Sequence, residues 1–308
     1  MMSYAFAESC PDRHRLEVSL CASREDAFRS LYFDRQNSFR YQTTLTDGLR
    51  IETSAYQHFL SDVPVAMAVD ISTMCGCPMG CAFCAASAIP YRRNCTTDEM
   101  IQQAEEMIAR HGDGRFPKIN VAFQGIGEPS LLAADVASAA MAIRERDSRA
   151  VVNISTIGAD LGAIETWCAV LPEIDNLQFS CCSLDPNTLS RLSPNSPAPD
   201  DLVRMARSVV AREQVRKTNI NYVVLSKIND SERDLNCLVE ALAGSEVNLR
   251  LAYLNRTKSS DRARLSHVSR ERTARLIHGL RRAGIESYLF GAFSPIEISC
   301  GQLVSKYE

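Results

Sequence analysis

The stretch Ala66-Met-Ala-Val-Asp70-Ile-Ser72-Thr-Met-Cys75-Gly-Cys77-Pro-Met-Gly-Cys81-Ala-Phe-Cys84 runs a short apolar strand straight into a loop of four thiols. Reading outward from it, the same kind of strand recurs at Lys118 to Gln124, Ala150 to Ser155, Asn176 to Cys181, Thr218 to Leu225 and Asn248 to Tyr253. Amphipathic segments fall between them, over Asp98 to Arg110, Ala133 to Arg144, Leu161 to Leu171, Pro199 to Arg212, Ser231 to Leu242 and Ser269 to Ala283. Thr96 followed by Glu99 has the spacing of a capping box and marks where the first of these helices begins. Strands alternating with helices at this interval predict an α/β fold with a parallel sheet. Six such units are too few to close an eight-stranded barrel, so the expectation is a partial (β/α)6 TIM-like barrel over residues 66–290. Residues 1–65 lack the rhythm. Asp47-Gly48, set between Tyr41-Gln-Thr-Thr44 and Leu49-Arg-Ile-Glu-Thr53, predicts a hairpin, and residues 1–65 read as a small N-terminal annex. Residues 291–308 form a C-terminal tail.

The 308 residues are 45% hydrophobic and 23% charged with a net charge of −3, which suits a globular protein and excludes a polybasic nucleic-acid binder. A local exception is Arg250 to Arg282, where ten Lys or Arg outnumber Asp261 and Glu271 by eight. Such a stretch either meets phosphates or is a solvated helix face. The longest nearly uncharged segment of helical character, Leu131 to Ile143, is well short of the roughly 20 apolar residues of a membrane span. With no secretory pattern at Met1 to Pro11, a cytoplasmic protein without membrane contact is expected.

Twelve cysteines are many for such a chain, because cysteines in a reducing compartment are more often ligands or reactive groups than disulfide partners. Cys77, Cys81 and Cys84 have the spacing C-x3-C-x2-C. Three thiolates on one tight loop can hold three irons of a [4Fe-4S] cluster and leave the fourth iron open to a small molecule. An open iron of that kind suits the amino and carboxylate groups of S-adenosylmethionine (SAM). The alternative is a zinc knuckle that takes Cys75 or Cys95 as fourth ligand. One unit later the strand ending at Gln124 leads into Gly125-Ile-Gly127-Glu128-Pro129, at the strand end where barrel enzymes place their ligand loops.

With these motifs the sequence resembles the radical SAM superfamily and, within it, the RlmN/Cfr class of ribosomal RNA adenosine methyltransferases. The likeness runs through most of residues 45–308 and includes Ser155-Thr-Ile-Gly158, Asn221 to Asp230, Asn255 and the tail Ser299-Cys300-Gly-Gln-Leu303. It implies that the partial barrel is of the radical SAM type, that Cys77, Cys81 and Cys84 bind the cluster, and that Gly127, Glu128, Ser155 and Asn255 hold SAM. It further implies that Cys300 accepts a methyl group from one SAM. The 5′-deoxyadenosyl radical from a second then takes a hydrogen from the methylthioether, and the carbon radical adds to an unactivated carbon of the substrate. A reductase such as flavodoxin or ferredoxin would supply electrons.

The chain departs from that class at Asp70, where the class has a second functional cysteine seven residues before the first cluster ligand. A carboxylate accepts a proton but cannot form the disulfide that resolves the adduct in that class. Asp70 is therefore a candidate catalytic base beside Cys300. Cys181-Cys182, at the end of the fourth strand, either faces the cofactor or packs in the core. The annex is shorter than the helical RNA-binding domain of the class, which favours a small molecule or nucleotide over RNA as substrate. Two further readings remain at this level: a radical SAM enzyme that abstracts hydrogen without methylating, and a non-enzymatic zinc or iron-sulfur protein.

Overall fold

A computed structural model describes residues 3–6, 37–60 and 62–290; the Cys300 tail lies outside them. In chain order the strands are β1 (Ser3–Phe6), β2 (Ser38–Thr44), β3 (Arg50–Leu60), β4 (Val63–Ile71), β5 (Met74–Cys75), β6 (Arg93–Asn94), β7 (Ile119–Phe123), β8 (Ala150–Thr156), β9 (Asn176–Ser180), β10 (Thr218–Val224), β11 (Asn248–Tyr253) and β12 (Ser287–Phe290). The helices are α1 (Thr97–His111), α2 (Ala133–Arg146), α3 (Gly162–Val170), α4 (Pro186–Leu192), α5 (Pro199–Val210), α6 (Glu232–Leu242), α7 (Lys258–Arg262) and α8 (Arg270–Arg282).

One sheet runs β1-β2-β3-β4-β7-β8-β9-β10-β11-β12. From β4 to β12 every neighbouring pair is parallel, with helices as crossovers. This is the expected partial barrel, lengthened by a seventh parallel strand, β12, that the sequence reading did not include. The annex hairpin forms at Asp47-Gly48: Gly48 takes φ +83 and the Leu49 amide donates to Asp47 Oδ1 at 3.1 Å. Its strands are not a separate body. β2 and β3 continue the barrel sheet antiparallel, with β3 joined to β4 by a second hairpin.

Side chains alternate across a strand, and here the alternation separates two environments. Ile71, Phe123, Ile154, Phe179, Val224 and Leu249 are fully buried beneath the helices. α1 is fixed there by its capping box, in which the Thr96 hydroxyl accepts from Glu99 N and the Glu99 carboxylate from Thr96 N. Trp167 of α3 is wholly buried and its indole N–H donates to Ala133 O at 3.0 Å. The opposite face lines the barrel lumen. Register puts Asp70, Ala122, Asn153 and Asn176 in one row, and Ser155, Gln178, Asn219 and Asn248 in the next. Ser180, Asn221, Arg250 and Tyr288 form a third. The lumen is polar where the helix-covered face is apolar.

Candidate active site

The cysteine loop leaves the carboxyl end of β4 and is held from several sides. Gly76 takes φ +79, and a Cβ there would lie 2.1 Å from Pro90 O, so the loop passes against the returning chain at Pro90 as only glycine allows. Asn195 donates to the carbonyls of Pro78 and Met79 at 3.2 and 3.3 Å. Ser193 Oγ lies 3.2 Å from Cys81 Sγ. Below the loop, Ala82 and Phe83 pack on the apolar cluster of Cys182, Leu189, Leu192, Leu225 and Leu254. The chemistry of the loop thus sits on a rigid base.

Cys77, Cys81 and Cys84 feel one another electrostatically, and burial pushes all three thiols up, Cys77 and Cys81 to about 12. Cations reverse that logic, since a coordinating thiol is deprotonated by its metal. Cys75 and Cys95, the two candidate fourth ligands of a zinc knuckle, are instead hydrogen-bonded to each other in the main core. Cys77 and Cys84 pack together in a different cluster with Ala86, Ile89 and Ile126. A donor set of three soft thiols, with its neighbours engaged elsewhere, fits an iron-sulfur cluster with one thiolate per iron.

Next to the loop stands the turn after β7. Gly127 takes φ +121, and a Cβ there would lie 2.4 Å from Thr73 Oγ1 and 2.9 Å from the Met74 side chain. Its backbone N–H donates to the Cys77 thiol, which ties the glycine turn to the thiol loop. Glu128 is buried, with 3% exposure. Its carboxylate accepts from the Thr156 hydroxyl, from Ile157 N at 3.0 Å and from Ser130 N at 3.1 Å. Burial pushes the Glu128 carboxyl up while these donors pull it down. Glu128 therefore fastens the β7 turn to the end of β8. Ser155 lies on the lumen side of β8, and Asn255 is exposed just beyond β11. Both stand at the strand ends that carry the thiol loop, as expected for a ligand site of a parallel sheet.

Asp70 projects into the lumen from β4. Gln124 donates to its Oδ1 at 2.7 Å, Tyr56 of β3 also donates to it, and the charges of Arg40 on β2 and Arg250 on β11 face it. Burial outweighs these partners and pushes its carboxyl up to about 6. Arg250, itself brought down to about 10 by burial, donates to Gln178. Tyr288 donates to Asn219 at 3.1 Å, and Asn219 to Asn176 at 2.5 Å. The amide oxygen of Asn221 is buried without a hydrogen-bond partner among the described residues.

Several of these groups lie in strands that read in the sequence as apolar runs. Their signal was the alternation itself, as in Asn176-Leu-Gln-Phe-Ser180 and Asn248-Leu-Arg-Leu-Ala252, polar at every second place. Ser193 and Asn195 carried no such signal, because only the fold brings them to the thiols. Cys181 and Cys182 are both buried, the first in the main core and the second in the cluster beneath the cysteine loop.

The comparisons with known proteins agree with this geometry. Residues 71–236 match the model of the Radical SAM superfamily. The "Probable dual-specificity RNA methyltransferase RlmN" of Heliobacterium modesticaldum is 28% identical over 87% of this chain and 71% of its own. The ribosomal RNA large subunit methyltransferase Cfr of Bacillus velezensis is 31% identical over 77% of this chain and 69% of its own. A solved radical SAM methyltransferase from Sphaerobacter thermophilus superposes with a TM-score of 0.73 at 25% identity, over 86% of this chain and 77% of that one. SuiB of Streptococcus suis, solved with SAM bound, shares the fold with a TM-score of 0.55 at 15% identity, over 75% of this chain and 53% of that one.

These relatives correct one expectation. A small molecule or nucleotide was expected in preference to RNA because the annex is short, but the relatives are named RNA methyltransferases and the match to them spans most of this chain. The size of an N-terminal annex does not decide what a barrel accepts, because substrate chemistry resides in the strand-end loops and the lumen. A flavodoxin or ferredoxin donor likewise finds no support in them. Among the described residues no helix is long and apolar enough to cross a membrane. With the thiol loop, the glycine turn and the polar lumen on one barrel, the chain belongs to the radical SAM superfamily as an RlmN/Cfr-like, methyltransferase-like enzyme, and that membership implies a [4Fe-4S] cluster and SAM.

Proposed function

We propose that the protein methylates an unactivated carbon of an RNA base, with Cys300 as methyl carrier and Asp70 as the base of the lumen. The observation that carries the reading is the likeness to RlmN and Cfr across the barrel, joined to a thiol loop at the mouth of a polar lumen. In this reading residues 66–290 are the catalytic barrel, residues 1–65 an annex fused to its first strand, and residues 291–308 the segment that delivers Cys300. Cys77, Cys81 and Cys84 hold the cluster, and Gly127, Glu128, Ser155 and Asn255 form the SAM site. Bound there, the two cofactors supply a methyl cation equivalent and a 5′-deoxyadenosyl radical.

The chain's own residues divide the remaining work. The Cys300 sulfur accepts the methyl group, which suits a thiolate, and so keeps it tethered where a base can meet it. Gly127, lacking a Cβ, lets the β7 turn close on the thiol loop. Glu128 positions that turn through Thr156 and Ile157. Gln124 and Tyr56 orient the Asp70 carboxylate in the lumen, and its ionisation near pH 6 gives it the strength of a general base at neutral pH. Asp70 then takes the proton lost by the substrate carbon. Because a carboxylate cannot resolve the adduct, a thiol co-reactant attacks the Cys300 sulfur: the S–S bond forms as the bond from sulfur to the methylene carbon breaks, and that carbon keeps the electron pair and is protonated to the methyl group.

The test is mass spectrometry of the Cys300 peptide after incubation of the cluster-reconstituted protein with deuterium-labelled SAM and RNA. A labelled one-carbon group on that sulfur is expected. An unmodified Cys300, with 5′-deoxyadenosine forming in the same tube, would overturn the carrier role.

A further inference from the structure

Two loops at the carboxyl end of the barrel are stitched together beside the cysteine loop. Leu225 and His267 form an isolated antiparallel bridge, and Ser226 N–H donates to Ser266 O at 3.0 Å. Thr257, which caps α7 in the second loop, is buried, and its hydroxyl donates to Phe83 O at 3.1 Å. That bond anchors the second loop to the chain between Cys81 and Cys84. The joined loops thus form one wall of the mouth above the thiols.

Each loop holds a cation in the left-handed region of backbone space, Lys227 at φ +62 and Arg264 at φ +53. A residue with a Cβ pays roughly 1–2 kcal/mol to stand there, which glycine would avoid. Local bonds hold both in place, Lys227 N donating to Asp230 Oδ1 at 2.8 Å and Arg264 N to Asp261 O at 3.0 Å. Backbone strain of this kind gathers at functional sites.

Lys227, Lys258, Arg262 and Arg264 are exposed, and no carboxylate pairs with any of their side chains among the described residues. Other arginines, such as Arg93, Arg149 and Arg212, are each held by an acid; what sets the loop cations apart is their place at the mouth beside the thiols. The +8 stretch of the sequence also divides in the fold. Arg250 turns into the lumen, Arg272 is bound to Glu232 and Asp230 O, and Arg256 is held by Asp261 at 2.8 Å, whereas Lys227, Lys258, Arg262 and Arg264 stay open at the mouth.

We propose that the loops 225–230 and 255–268 form a clamp for the phosphodiester backbone of the RNA, with Lys227 and Arg264 as its paired contacts. The clamp rests on the RNA reading given above. It holds the strand across the mouth while one base enters the lumen, in keeping with phosphate contacts that position and base contacts that specify.

The test compares the full-length, cluster-reconstituted protein with the double variant Lys227→Gly and Arg264→Gly in RNA binding over a salt series. Glycine removes the charge and the backbone strain together, so the fold should be retained and the Tm equal or raised. Each phosphate contact with a single strand contributes about 0.7 to the salt slope, so the variant's slope should fall by about 1.4 and its affinity at low salt about tenfold. SAM cleavage without RNA should be unchanged. A paired control, Arg275→Ala with Arg282→Ala on the outer helix α8, should keep the original slope.

If the unaltered protein binds RNA and the glycine variant binds it equally with the same slope, the clamp is wrong and the RNA reading stands. An equal loss in the α8 control also overturns the clamp, since the attraction would then be diffuse. If the unaltered protein fails to bind RNA at low salt, the RNA reading fails and the clamp with it.

Discussion

Adjacent residues of one strand, Tyr222 and Asn221 on β10, face opposite sides of the sheet and live by different rules. Tyr222 lies under the helices, 1% exposed, packed in the main core with its hydroxyl donating to Asn229 O at 3.0 Å. Asn221 turns into the lumen and keeps a buried amide oxygen without a hydrogen-bond partner among the described residues. The same holds along the sheet: Phe179 beside Gln178, Leu249 beside Arg250, Ile71 beside Asp70. The helix-covered face is packed almost wholly with apolar side chains and makes the barrel stable. The lumen face buries polar groups that are mostly paired with one another and leaves the Asn221 amide oxygen without a partner among the described residues, a cost that a stable core alone has no reason to bear. Buried polar atoms of this kind belong to a site that is completed by something else.

Breaking the two faces separately should therefore break different things. The largest effect is expected from Tyr222→Ala, which removes a fully buried aromatic and should cost about 3–5 kcal/mol of stability by denaturant unfolding, as large-to-small core changes do. Asn221→Ala, one residue away, should change stability by no more than about 1 kcal/mol, since it deletes an amide oxygen that has no partner to lose among the described residues. The same variant should reduce methylation of RNA. A large loss of stability at Asn221 would show that the lumen is core after all.

Asp70→Asn sharpens the contrast through pH. In the folded chain Asp70 ionises near 6 against an ordinary 3.8, so the folded state binds more protons than the unfolded one between those values. Stability contributed by the protonated form is present below about pH 4 and lost as pH rises through 6. Arg40, Arg250 and Tyr56 are the charged and titratable groups that face it. The asparagine variant should lack that fall in a stability profile. Its methylation rate should drop on the order of 100-fold, without the rise through pH 6 that the unaltered enzyme should show, while SAM cleavage persists. An unchanged rate would remove Asp70 from the chemistry.

A smaller effect is expected from Gly127→Ala, at the junction of the two environments. Its Cβ would overlap Thr73 and Met74, which should cost about 1–3 kcal/mol and weaken SAM binding in equilibrium dialysis. The smallest is Thr96→Ala, which removes the cap of α1 on the covered side and should cost about 1 kcal/mol with methylation intact.

Much of this was legible in the chain. β8 and β11 begin where the strand reading begins them, the Thr96 cap starts α1, and Asp47-Gly48 turns the hairpin. These features are local, set by periodicity, capping and turn chemistry. The thiol spacing and the Gly-Ile-Gly-Glu-Pro run were legible for the same reason. What escaped is what the fold alone assembles: the seventh strand Ser287–Phe290, the Ser193 and Asn195 props of the thiol loop, and the bridge that sets Lys227 beside the Arg264 loop. The polar lumen escaped for the same reason, since it appears only when strands are laid side by side, whereas the basic stretch Arg250 to Arg282 was visible in the sequence.

The most direct test of the account is to incubate the cluster-reconstituted protein anaerobically with deuterium-labelled SAM and transcribed ribosomal RNA, digest the RNA, and analyse its nucleosides by mass spectrometry. The account predicts a labelled methyl group on a base carbon, absent with Cys300→Ala and sharply reduced with Asp70→Asn. Unlabelled RNA in the presence of continued 5′-deoxyadenosine formation would contradict it.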